Sequence, residues 1–114
     1  MDLLLEQRND KDAVIVMTNI LSRDPADAKV LVNRGSANMR LGNAADGIAD
    51  WREAANLGNA ATQNELGRSY MPGVPGVLER NTAIGIEWFR KSAAQGDSAG
   101  LRNLSIATSQ HLPY

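Results

Sequence analysis

"GIADWREAANLGN" occupies residues 47–59, and "GIEWFRKSAAQGD" occupies residues 85–97. At a spacing of 38 residues, Gly47, Ile48, Trp51, Arg52, Ala55 and Gly58 recur as Gly85, Ile86, Phe89, Arg90, Ala93 and Gly96. Apolar residues fall every three or four positions, as on an amphipathic helix, and a glycine follows the last of them, where helices stop. Ala61, Leu66 and Gly67 return at the same spacing as Ala99, Leu104 and Ser105. A fixed period that keeps caps, small residues and aromatics in register marks an array of helical repeats. Packing explains it: one helix of a pair needs a small residue where its partner crosses closely, and a large one as a wedge.

Outward from these stretches the punctuation stays helical. Asp24 reads as an N-cap with Pro25 at the first helical position, and "RDPADAKVLVNRGSANMRLGN" (23–43) closes at Gly42. Asn43 opens a helix with Ala44, Ile48, Trp51 and Ala55 on one face. Asn59 opens "NAATQNELGRSY" (59–70), and the loop "MPGVPGVLER" (71–80) carries two Pro-Gly steps suited to type II turns. Asn81 caps a helix through Gln95, Gly96 stops it, and Asp97 caps the last one. The β-branched run "AVIVM" (13–17) is short and lies within helical spacing. The expected fold is all-α: a solenoid of antiparallel helix pairs with about seven helices, six of them paired, in a single domain. Its parts are a partial N-terminal repeat over 1–24, full units over 25–58 and 59–96, and a capping helix over 97–110.

Composition narrows the function. A chain of 114 residues, 43% hydrophobic and 22% charged, has the balance of a globular domain. Aromatics make up only 4%, so Ala, Leu, Ile and Val must build the core. Net charge is −1 with no basic block, which lacks the footprint of a nucleic-acid binder. Nine of the twelve basic residues are Arg, the better donor for fixed carboxylate contacts. The absence of cysteine excludes disulfides, thiolate metal sites and cysteine nucleophiles. The start "MDLLLEQRNDKD" is acidic with too short an apolar run for a signal peptide, and no segment is apolar enough for a membrane span. A cytoplasmic chain without membrane contact is therefore expected.

Two related families are resembled. Gly35, Ala37, Leu41-Gly42, Gly47, Trp51 and Ala54 fall where a tetratricopeptide repeat puts its signature residues. Leu66-Gly67, Tyr70, Gly73, Gly76-Val77, Trp88-Phe89, Ala93-Ala94 and Gln95-Gly96 follow the pattern of a Sel1-like repeat, glycine-bearing loop included. Ala13, Met17, Ile20 and Asp24-Pro25 resemble the second helix of a repeat whose first helix is cut short. Asn38 stands where an aromatic is expected, Arg34 where Leu is usual, Ser105 replaces Gly, and the loop runs about two residues longer than the common form. The resemblance implies a right-handed superhelix that binds proteins or peptides and catalyses nothing.

On that implication the concave surface comes from the first helix of each pair. Lys29, Val32, Asn33, Ser36, Met39 and Arg40 are the candidates from the first unit. Asn64, Arg68 and Met71 follow from the second, and Arg102, Asn103 and Ile106 from the last helix. Lys29, Arg68 and Arg102 would hold carboxylates, while Asn33 and Asn64 would bond an extended backbone. Asn33 is similar to one element of a chaperone carboxylate clamp, but Glu65 occupies the equivalent place in the next unit and would repel that ligand.

Other features read as structure. Asp46 and Asp50, one turn apart, read as a wet helix face. Trp51 and Phe89 belong to the core by register, leaving Trp88 as the exposed aromatic. "PGVPG" lacks the Lys-Ser/Thr of a phosphate loop. His111, the single histidine, lies in the tail "HLPY". Leu101, Leu104 and Ala107 share a face of the last helix. The N-terminal "LLLEQ" and "AVIVMTNIL" carry more apolar residues than one stripe can hide, so self-association or a partner is expected there, tested by Leu4→Glu and Ile15→Glu. The leading expectation is an adaptor in a bacterial assembly or regulatory pair, with no cofactor and no metal. An immunity or inhibitor protein and a self-associating structural subunit are the alternatives.

Overall fold

The computed structural model describes residues 3–109. Six α-helices follow one another: α1 Leu3–Arg23, α2 Ala28–Arg40, α3 Ala44–Asn56, α4 Ala60–Tyr70, α5 Thr82–Ala94 and α6 Ser98–Ser109. The all-α expectation holds. Six helices rather than seven arise among the described residues because the N-terminal segment is one continuous helix. Val74 and Leu78 form an isolated antiparallel bridge inside the α4–α5 loop, and no strand accompanies it among the described residues. No helix there is long and apolar enough to cross a membrane. His111 and the rest of the tail lie outside the described residues, as does the side chain of Leu4.

Local chemistry sets most helix ends. Asn59 and Asn81 accept from the backbone N–H three residues on, at Thr62 (2.9 Å) and Ile84 (3.0 Å). Asp97 does the same for Gly100 at 2.8 Å. At matching places after α3 and α5, Gly58 and Gly96 take φ of +98° and +81°, where a Cβ is strained. Asp24 does not cap α2. Asp27 does, accepting from Val30 N–H at 3.2 Å, while Asp24 and Pro25 sit in the turn after α1. The Asp24 carbonyl accepts the Asp27 N–H at 3.3 Å, which holds that turn back from the helix start. Asn43 occupies the N-cap position of α3 without a side-chain cap bond.

The chain divides into two compact units, Met1–Leu57 and Gly58–Tyr114. In the first, α2 packs on both α1 and α3. Its core gathers Leu21, Leu31 and Ala54, flanked by Ala28, Val30 and Val32. In the second, α4 and α5 pack together and α6 packs on both. Connections of a few residues between packed helices make α2–α3 and α5–α6 antiparallel neighbours. The eleven-residue link between α4 and α5 is closed by Asn81 N–H donating to the Tyr70 carbonyl at 2.9 Å.

Inside each unit the same crossing is built. A Cβ on Gly35 would stand 2.6 Å from Trp51 Cδ1 and 3.0 Å from the Gly47 carbonyl oxygen. One on Gly67 would stand 2.6 Å from Phe89 Cε1 and 2.9 Å from the Gly85 oxygen. The reciprocal glycines are roofed by methionines: Met39 lies over Gly47, and Met71 lies over Gly85. Two glycines thus let two backbones meet, with an aromatic on one side and a methionine on the other. The first-helix partners are 32 residues apart and the second-helix partners 38, because the longer loop intervenes. Ser105, at the place of Gly67 in the last helix, is exposed. No helix among the described residues crosses there, so nothing demands glycine.

Gly67→Ala should therefore destabilise the second unit by about 2 kcal/mol. Overpacking against a buried ring and a backbone oxygen costs about 3 kcal/mol, and the better helix propensity of Ala offsets about 1. Urea unfolding followed by circular dichroism measures it. A neutral or stabilising result would mean that the helices do not meet this closely.

Candidate functional site

The residues singled out in the first unit separate into structural and free groups. Val32 packs against the core, and its carbonyl accepts the Trp51 indole N–H at 3.4 Å. Trp51 is half-buried rather than fully internal. Met39 is occupied by Gly47. Arg40 binds Asp10 of α1, Nε and Nη2 donating at 3.0–3.1 Å, and that hydrogen bond holds the guanidinium above its usual pKa. Ser36 is half-buried, and only Lys29 and Asn33 stand exposed with no polar partner for their side chains among the described residues.

A polar cavity of about 370 Å³ does occur in this unit, lined by Val14 and Thr18 of α1, Arg34 and Asn38 of α2, and Asp46, Ala49 and Asp50 of α3. Here the wet-face reading of Asp50 fails. Asp50 is 7% exposed and accepts Arg34 Nε and Nη2 at 2.7 Å each, a bidentate pair. That hydrogen bond, opposed by burial, lifts the Arg34 pKa above its usual value. Arg34 Nη1 also donates to Thr18 at 3.3 Å. The positions equivalent by the 32- and 38-residue offsets are Leu66 and Trp88 in the second unit, so one unit stores an ion pair where the other is apolar.

The second unit brings candidates together. Arg68 and Met71 from α4 and its end, Arg80 and Thr82 around the start of α5, Phe89 of α5, and Asn103, Ile106 and Ala107 of α6 line a cavity of about 390 Å³. That size suits a small cleft for a few side chains. Phe89 is buried and supplies apolar wall, whereas Ile106 is 50% exposed. Among the described residues Arg68 pairs only with Glu65 of its own helix, at 3.0 Å, and both side chains are well exposed. Arg80 has no ion pair or hydrogen bond for its side chain among the described residues.

Asn64 is not a free backbone-binding amide. It is 4% exposed, and its Oδ1 accepts Asn103 Nδ2 at 2.8 Å, tying α4 to α6. Arg102 is exposed but does not line the cavity; it sits one turn before Ile106 on the same helix face. Arg80 and Thr82 are not legible as site residues in the sequence, because the eleven-residue link leaves the register of the next helix unfixed. Of the last helix, Ala107 is buried and Leu104 half-buried as expected, but Leu101 is 51% exposed. Gly100 takes the buried place instead, set against Ser92 of α5.

Trp88 is half-buried, with Lys91 Nζ 4.4 Å from its ring centroid. The described residues contain no group of three or more His, Cys, Asp or Glu suited to a metal ion. The chain matches no protein-family model and no curated protein.

Proposed function

We propose that this chain is a non-catalytic interaction module that binds a segment of another polypeptide through the cavity of its second unit. One observation carries the reading: side chains from α4, the α4–α5 loop, α5 and α6 converge on an open space with an apolar wall and cationic lining. Mixed lining of this kind suits a peptide, whose side chains and backbone offer both kinds of contact. The likeness to tetratricopeptide and Sel1-like repeats supports the same role.

A photo-crosslinking residue at Ile106, compared with one at exposed Glu53 on α3, tests it in the cells that make the protein. A stoichiometric adduct of defined mass from position 106 and none from 53 is the expected result. Equal capture at both sites, or none, removes the reading.

A self-associating subunit is favoured by a separate observation. Leu5 (54%), Val16 (57%) and Ile20 (42%) lie exposed along one stripe of α1, with Ile15 (61%) beside it. If this face joins copies, Val16→Glu should lower the mass seen by sedimentation at high concentration. A concentration-independent monomer before the change discards this alternative.

A further inference from the structure

We infer that the cavity of the second unit takes an acidic–aliphatic stretch of the bound polypeptide. Asp or Glu side chains would meet Arg68 and Arg80, and a neighbouring aliphatic side chain would lie on Phe89 and Ile106. The inference rests on the interaction-module reading and adds the chemistry of what is bound.

The balance of charge points this way. Two arginines line the cavity, and among the described residues no carboxylate does. The first unit's cavity is the contrast: its arginine is satisfied by Asp50, with Asp46 also in the lining, so no cationic demand remains there. Arg80 has no competing partner among the described residues. The Arg68–Glu65 pair joins side chains 61% and 45% exposed, three residues apart, and such surface pairs exchange readily for a better-placed carboxylate. Arg102, exposed and without an ion pair among the described residues, adds a third cation one turn before Ile106. Glu65, Glu79 and Glu87 are the nearby acids by sequence, and Glu87 pairs with Arg90 at 3.5 Å, so Arg68, Arg80 and Arg102 remain in excess. The Asn103 Nδ2 is committed to Asn64, which leaves its amide oxygen to accept a peptide N–H. Guanidinium groups pair with carboxylates bidentately, while the apolar wall rewards an adjacent aliphatic side chain.

Selection of short random peptides, displayed with both ends fused to constant sequence, tests the assignment on the full chain. The expected winners combine Asp or Glu with Leu, Ile or Val. Their affinity should fall about tenfold or more with Arg80→Glu or Arg68→Gln, weaken as salt rises, and stay unchanged with Lys11→Glu on α1. Arg80 is exposed and its side chain unpartnered among the described residues, so its variant should keep the native circular dichroism melt. Enrichment of neutral or basic peptides, or acidic winners indifferent to Arg80→Glu, overturns the inference and leaves the interaction module standing. No enrichment of any sequence removes both.

Discussion

Phe89→Ala should cost the second unit about 3–5 kcal/mol, the span seen when buried phenylalanines are truncated. The ring is 2% exposed and covers Gly67 where α4 and α5 cross. It also walls the cavity, so the space it vacates would merge with one already open. Neighbours cannot refill such a space without closing the cleft. A loss of this size approaches the whole stability of a small domain, and much of the helicity of α4 and α5 should go with it. Urea unfolding followed by circular dichroism reads the effect. A loss below about 1 kcal/mol, the ordinary range for an arbitrary substitution, would show that the ring is not the wedge between these helices.

Asp50→Ala should destabilise the first unit by about 3 kcal/mol, the low end for breaking a buried ion pair. The discount reflects Arg34, whose side chain keeps 23% exposure and can recover some hydration. The carboxylate itself is nearly buried and accepts two charge-assisted bonds, so its removal leaves a guanidinium without its strongest partner. Because the Arg34 pKa is raised above its ordinary value, the stability it contributes is lost only as pH climbs through that raised value in strong alkali, so this pair gives no stability change from Arg34 at ordinary pH. The double variant Arg34→Leu with Asp50→Leu should recover most of the loss, since apolar pairs of similar volume often match a buried ion pair. The second unit offers an internal precedent, with Leu66 and Trp88 at the equivalent positions. Additive losses in the double variant would mean that the two residues do not act as a pair.

The contrast between these units explains what periodicity could and could not reveal. Gly47 and Gly85, with Trp51 and Phe89, stood out because their spacing repeats, and the structure gives each pair the same crossing. Arg34 and Asp50 read as a departure and a wet face because nothing in sequence links residues sixteen apart on different helices. Asn64 looked like a free groove amide for the same reason: its partner, Asn103, is 39 positions away. Met39 and Met71 fell among candidate contacts, although both roof a glycine.

By itself, the sequence determined the all-α class, most helix starts and stops, and the small residues where backbones meet. Those features depend on groups within three or four residues of one another: an Asn59 side chain on Thr62 N–H, a glycine with positive φ, a missing Cβ. Only the tertiary structure decided which polar side chains face inward and that Arg80 joins Arg68 around one cavity. Those outcomes depend on how far a loop carries the chain before α5 and on which helix faces then come within hydrogen-bond reach, and neither distance is written in a local run of residues.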